Sequence, residues 1–282
     1  VTDLVAGAVS VTDSTVVATN LTADEVTLAN STTTIDGTSV VATVNTCGGA
    51  TTLTGSTAAT DVLGCASDDT IVIDGDAVVA NAIEGAGGSD SVSVLGNASA
   101  AIINVAGDGS DASAATDNNN SVLVNTTGTV GTVIGGDQAD AITLTAGTVG
   151  TVVAGGGADT IIANGADVTT SIDAGAGDDI VTWSAGTVAA IATGLGSDAL
   201  TVSASEYDGS QVLDGGDDLT AGDGFIDVLS VDGLSGAVDG SIITNWEEIN
   251  VANSDVQVTD LVAGAVSVTD STVVATNLTA DE

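Results

Sequence analysis

The sequence predicts an all-β protein, a parallel β-solenoid of the β-roll kind with about 20 residues per coil. Three observations predict it. A glycine-rich turn that closes on an aspartate recurs through the middle of the chain. Between those turns lie short runs of Val, Thr, Ile and Ala, the residue types that favour strands. The composition also suits a narrow aliphatic core: 43% of residues are hydrophobic but only 1% are aromatic, where a globular interior normally draws on more large rings. Pro is absent, which suits uninterrupted ladders, and no stretch sustains a helical period.

Charge narrows the function. The chain carries 39 acidic residues and no Lys, Arg or His, for a net charge of −39. A compact fold with no cation of its own repels itself, so neutralisation is expected from outside, and bound metal is the natural source. The same charge excludes nucleic acid, which needs Lys and Arg to displace counterions, and anionic membrane surfaces. No window of ~20 apolar residues offers a membrane span. Hydrophobicity this high argues against a disordered acidic chain. Enzymatic chemistry loses most of its usual acids, bases and nucleophile partners without His, Lys or Arg, and two cysteines are too few for a zinc site. We therefore expect no catalytic residue.

Residues 1–63 read as Thr/Val-rich coils. Val9–Val11, Val16–Ala18, Val26–Leu28 and Val40–Val44 predict strands of about four to six residues between polar turns. Cys47 and Cys65 are the two cysteines. A bond between them would close a loop of roughly one coil, and we expect it as a disulfide of an extracellular protein.

Residues 64–230 carry the glycine–aspartate turns. The first run from Gly64 to Asp69 and from Gly85 to Asp90, with a weaker copy ending at Asp111. Residues 112–120, rich in Asn, Asp, Ala and Ser, predict an insertion loop. The clearest series follows: Ile134 to Asp140, Ala154 to Asp159, Ala174-Gly-Ala-Gly-Asp-Asp179-Ile-Val, and Thr193 to Asp198, with the aspartates 19, 20 and 19 residues apart. An aliphatic residue stands two positions after each of these four aspartates, and it is expected to point inward and anchor the turn. A second motif, at Thr127–Gly131, Ala146–Gly150 and Ala185–Ala189, predicts the opposite turn of each coil. Asp214 to Asp227 is the densest acidic stretch.

Residues 231–257 are expected to be closing strands, with Ser241–Val251 read as a strand and a short amphipathic helix around Trp246 as the alternative. Residues 258–282 repeat residues 1–25 without a substitution, at an offset of 257. The expectation is a window on a longer chain with a 257-residue tandem repeat, fitting the absence of Met and the start at Val1. The alternative is an exchanged segment supplied by a neighbouring subunit. About 13 coils per period would rise on the order of 60 Å at the strand spacing.

The turns have the chemistry of calcium sites. Calcium takes six to eight oxygen ligands from carboxylates and carbonyls. Glycine lets the backbone curl so that carbonyls face one point, and stacked coils bring successive aspartates within reach of one ion. The leading candidate ligands are Asp137, Asp140, Asp159, Asp178, Asp179 and Asp198, followed by Asp68, Asp69 and Asp90, then Asp111, Asp217, Asp218 and Asp223.

On Gly85–Val92, Ala174–Val181 and Thr193–Leu200, the chain resembles the glycine- and aspartate-rich nonapeptide repeats of RTX proteins. That resemblance, over roughly residues 64–230, implies calcium-bound parallel β-rolls that are secreted and fold on meeting external calcium, many of them in surface layers or giant adhesins. Asn245–Val251 is similar to a strand of such surface-layer proteins. The family repeats every ~18 residues with acidic turns on both sides; here only one side is acidic, so one row of calcium is expected. The expected object is a structural repeat of an extracellular fibre, sheath or surface layer at a bacterial cell surface, with itself as partner. The alternative is a recognition module of a calcium-dependent adhesin that binds cell-surface or matrix polysaccharide through residues 112–120 and 214–227.

Overall fold

The computed structural model describes residues 1–106, 119–203, 205–216 and 225–280. The chain is a parallel β-solenoid of about 13 coils with roughly 20 residues per coil. Strands pair in parallel with those a full coil away: Val5–Thr12 with Thr22–Ala29, Thr32–Asp36 with Ala50–Leu53, and Thr160–Asn164 with Ile180–Ala185. Pairing runs without a gap across residues 63/64 and 230/231, where composition changes, through Ala50–Leu53 with Thr70–Ile73 and Val228–Asp232 with Glu248–Ala252.

The coil length is not constant. Equivalent residues lie 17 or 18 apart near the start, as in the bonds from Ser14 to Ser31 and from Leu21 to Ser39. They lie 19 or 20 apart between Asp140 and Asp179. Two coils are longer by about half a coil: Asp90 meets Asn120 across 30 residues and Asp198 meets Asp227 across 29.

The core follows from alternation. Every second residue of a strand faces inward, and parallel register stacks like positions. One inward column runs Ile71, Val92, Val122, Ile142, Ile161, Val181, Leu200, Leu229, Ile249. On the facing side another runs Val62, Ile83, Ile103, Val133, Val152, Ile172, Ile191, Leu213. All of these are buried. The space between two such columns is narrow, which is why Val, Ile, Leu and Ala suffice. Trp183 and Trp246 are the largest fully buried side chains, and each indole N–H reaches a carbonyl, that of Gly186 at 3.0 Å and that of Leu213 at 3.1 Å.

Three local expectations change. The opening strands Val5–Thr12 and Thr22–Ala29 have eight residues each, because the 17-residue coil is mostly strand. The motifs at Thr127–Gly131 and Ala146–Gly150 are not breaks. They lie inside the continuous strands Ser121–Gly136 and Ala141–Gly156, where a register shift near Asn125 takes up the bend. Ser241–Val251 is neither one strand nor an amphipathic helix: a 3-10 turn at Gly240–Ile242 leads to Ile243–Thr244, a corner follows, and the strand resumes at Glu248–Ala252. Asn245 makes that corner at φ 62°, an angle that Asn tolerates better than most residues.

Cys47 and Cys65 are joined, with Cα atoms 5.2 Å apart and a sequence separation of 18. The bond ties one coil to the next. Replacing both cysteines with serine is expected to lower stability by about 3 kcal/mol, the loop-closure value for this length, measured by denaturant unfolding; an unchanged midpoint would refute it.

Candidate functional site

The glycine–aspartate turns build one continuous feature. In each, the aspartate stands two residues before an inward aliphatic: Asp140 before Ile142, Asp159 before Ile161, Asp179 before Val181, Asp198 before Leu200. Alternation therefore turns the aspartate inward as well. Asp69, Asp90, Asp140, Asp159, Asp179, Asp198 and Asp227 are all buried, none above 4% exposed, and they are the only buried acidic residues among those described.

These side chains form a ladder along the axis. The Asp140 N–H donates to Asp159 Oδ1 at 2.7 Å, the Asp159 N–H to Asp179 Oδ1 at 2.7 Å, and the Asp179 N–H to Asp198 Oδ1 at 2.8 Å. The ladder extends both ways. Towards the N-terminus, Asn120 donates to Asp140 Oδ1 at 2.7 Å, Asp90 to Asn120 Oδ1 at 2.9 Å, and Asp69 to Asp90 Oδ1 at 2.9 Å. It ends where Asp69 Oδ1 accepts from the Gly48 N–H at 2.9 Å and Oδ2 from the Cys65 N–H at 3.0 Å, beside the disulfide. Towards the C-terminus, Asp198 donates to Asp227 Oδ1 and Asp227 to Glu247 Oε2, both at 2.8 Å.

Each carboxylate spends Oδ1 on this bond. The second oxygens of Asp159, Asp179 and Asp198 are buried and make no hydrogen bond, an expensive condition for a charged group. Burial pushes these three carboxyls up from 3.8 to about 6. The ladder bond opposes that rise, and the charge of the neighbouring ladder aspartate adds to it. Burial raises Asp69 too, against bonds from Cys65, Gly49 and Gly48.

The sign of the pH effect follows. A carboxyl near 6 in the fold and 3.8 unfolded binds protons more tightly when folded, so metal-free stability falls as pH rises from about 4 to about 6 and stays low above. In chelator, melting is expected at a higher temperature at pH 5 than at pH 7.5, by on the order of a few kcal/mol in stability. The double variant Asp159→Asn, Asp179→Asn should flatten that slope. A melting temperature that instead rises from pH 5 to 7.5 in the unaltered chain would sink the argument.

Glycine is required in the turn by the stacking itself. A Cβ on Gly155 would lie 2.0 Å from the Gly136 carbonyl oxygen, one on Gly175 2.0 Å from that of Gly155, and one on Gly194 1.9 Å from that of Gly175. A second column behaves alike: Gly177 against the Gly157 carbonyl and Gly196 against that of Gly177. Backbone carbonyls of the same turns thus stack coil upon coil, at separations only glycine permits.

The predicted ligands divide into two tiers. Asp69, Asp90, Asp140, Asp159, Asp179 and Asp198 are in the buried ladder. Asp68, Asp137 and Asp178 are exposed on the outside of the same turns. Asp68 and Asp178 accept from backbone N–H groups one coil on, Ser89 at 2.8 Å and Ser197 at 3.0 Å. Asp111, Asp217, Asp218 and Asp223 lie outside the described residues, as do positions 112–118 of the expected insertion.

Sequence reasoning missed Asn120, Asp227 and Glu247 as ladder members. Asn120, placed in the insertion by composition, holds the ladder register because its amide oxygen accepts the same bond. The missed signal is shared by Asn120 and Asp227: an inward aliphatic two residues on, Val122 and Leu229.

The donors fit calcium in kind. They are carboxylate and carbonyl oxygens, with neither thiolate nor imidazole, and three buried carboxylate oxygens without a partner lie along one seam. Among the described residues no three acidic, His or Cys side chains converge on one point. An ion here would take one or two carboxylates and draw its other ligands from backbone carbonyls and water, as calcium accepts. No family model, no curated protein and no solved structure matches the chain.

Proposed function

We propose that the chain is a structural unit of an extracellular β-solenoid fibre, sheath or surface layer, with calcium bound along the aspartate ladder. The observation that carries the calcium reading is the row of buried carboxylates whose second oxygens, at Asp159, Asp179 and Asp198, have no partner, in a chain without a basic residue. A divalent ion would supply the positive charge that these oxygens lack. The residues that would hold it are Asp140, Asp159, Asp179 and Asp198 together with glycine-column carbonyls; Asp68, Asp137 and Asp178 would add outer-face charge. The chain's own part is to hold Oδ1 on the neighbouring coil and to leave Oδ2 along the seam for the ion. Metal binding and folding are then one event.

A mechanical role agrees with the rest: continuous ladders, an aliphatic core and no group arranged for acid–base or nucleophilic work among the described residues. The extracellular, bacterial-surface and RTX-like parts of the reading rest on the disulfide, the acidity and the turn motifs. The adhesin alternative has no observation in its favour, since most of its two candidate loops lies outside the described residues.

Equilibrium dialysis against calcium tests the site directly. The unaltered chain should take up several ions at neutral pH. The double variant Asp159→Asn, Asp179→Asn, which keeps an oxygen acceptor for each ladder bond, should take up fewer while its strand content in calcium is unchanged. Equal uptake by both would move the ions away from the ladder.

A further inference from the structure

The duplicated segment is seen twice in one molecule, with a different coil face covered each time. Residues 258–280 lie on the coil before them: Ala265–Thr269 pairs with Glu248–Ala252, and Thr272–Thr276 with Asp255–Thr259. The same residues at the start, Ala8–Thr12 and Thr15–Thr19, pair with the coil after them, Glu25–Ala29 and Thr32–Asp36. Every one of these pairings spans 17 residues, as the serine bonds at both ends also do.

The two copies turn the same corners. Asp3, Asp13 and Asn20 take φ 52°, 48° and 54°, and Asp260, Asp270 and Asn277 take 54°, 49° and 59°. The Asn20 amide donates to Asp3 at 2.9 Å, and Asn277 to Asp260 at 2.7 Å. Val5 and Ala6 face Thr22 and Ala23, and Val262 and Ala263 face Thr279 and Ala280. The corners are therefore formed alike whichever face is covered, while the strand Val5–Thr12 is divided at Gly264 in the second copy, into Val262–Ala263 and Ala265–Thr269.

Covering the lower face changes what is buried. Val258 faces Val238 and is 7% exposed, whereas Val1, the same residue of the repeat, is 65% exposed. Leu261 is buried and Leu4 only partly so. Among the described residues the strand Val5–Thr12 pairs on one side only, which leaves an open parallel edge, a template for another strand.

A side-chain ladder crosses the junction when the two views are joined. Leu234 donates to Ser254 Oγ at 2.9 Å and Ser254 to Ser271 Oγ at 2.8 Å; Ser14, the counterpart of Ser271, donates to Ser31 Oγ at 3.3 Å. The left-handed column beside it continues likewise, Asn253 and Asp270 at 49° and then, from the counterpart Asp13, 48° and Asn30 at 48°.

We infer that one copy of this chain seats on another: residues 1–19 of one copy lie on the coil formed by residues 235–257 of the other, in the register that residues 258–276 occupy here. This deepens the fibre reading by naming the contact that extends it, and it does not require calcium. Residues 258–276 compete for the same seat from within their own chain at a high effective concentration, so exchange needs the segment to be released, as on unfolding and refolding a concentrated mixture.

The test uses the full chain. Asn250 faces Ser267, whose counterpart is Ser10. Chains carrying Asn250→Cys and chains carrying Ser10→Cys are mixed, unfolded, refolded together and oxidised. A covalent dimer linked through positions 10 and 250 is expected, located by mass spectrometry after cleavage at acidic residues, since the chain has no Lys or Arg. The variant Asn250→Cys, Ser267→Cys locks the resident segment in place. It should reduce multimers of the refolded protein at least about tenfold, because the tethered competitor can no longer leave, and reduction should restore them. Absence of the 10–250 link after refolding, with equal multimer content in locked and unaltered chains, overturns the inference. Calcium uptake is read separately: a link formed in chelator by protein that binds no calcium leaves this inference standing and removes the calcium reading, and uptake without a link does the reverse.

Discussion

Withdrawing calcium at pH 7.5 is expected to unfold the glycine–aspartate coils. Circular dichroism should lose most of its strand signal in excess chelator and recover it as calcium is added back. The magnitude follows from linkage. One site at a free ligand concentration of 100 times Kd stabilises the fold by about 2.7 kcal/mol, so a few sites along the seam supply as much as the ~5–15 kcal/mol that holds a typical domain together. The opposing term is visible in the structure: the second oxygens of Asp159, Asp179 and Asp198 are desolvated and unpartnered, on carboxyls that at pH 7.5 are charged. Magnesium should substitute poorly, because it demands a tighter octahedral shell and sheds its water reluctantly. A strand signal and melting temperature that do not respond to calcium would falsify the metal-bridged seam.

Gly155→Ala should be among the most damaging single methyl additions to the chain. The new Cβ would stand 2.0 Å from the Gly136 carbonyl oxygen, and the backbone there is at φ +111°. The obstacle is backbone, so no side chain can swing aside, and an L-residue is strained at that angle whatever the space. A loss of at least about 3 kcal/mol is expected, by named mechanisms that reach the upper tail of point-mutation effects. The neighbouring Gly156→Ala is the control. Its Cβ would come no closer than 3.6 Å, to Asp137 Cα, so its effect should stay within about 1 kcal/mol. Denaturant unfolding of the two variants in calcium reads the difference. Equal effects would mean both that the coils are not stacked in this register and that Gly155 does not hold this backbone angle, the two features that separate these adjacent glycines.

Much of the architecture could be read from local pattern. The spacing of Asp140, Asp159, Asp179 and Asp198 marks one point per coil, and the aliphatic residue two positions after each marks the start of a buried strand. The pairing of Cys47 with Cys65, the two cysteines of the chain, was expected as the disulfide of an extracellular protein, and the two are joined. What pattern did not convey was the direction in which the aspartates point. Ile142 and Ile161 were expected to face inward, and alternation over two residues requires Asp140 and Asp159 to do the same. The carboxylates thereby leave the solvent-facing turn and enter the core edge. Asn120 was hidden for a related reason. A search for charge passes over an amide, yet the ladder asks only for an acceptor.

The sequence by itself determined the solenoid class, the coil repeat, the acidic edge and the duplication of residues 1–25 at an offset of 257, because these depend on residues near one another in the chain or on plain identity. Tertiary structure alone decided which carboxylate of the 178/179 pair is buried. Each stands two residues before an aliphatic, Ile180 and Val181, yet Asp179 is in the ladder and Asp178 is outside, a division that no difference of residue type foretells. The physical reason is that each ladder bond is made to a residue a full coil away, and the desolvation that raises these carboxyls exists only once the coils above and below have closed off the water.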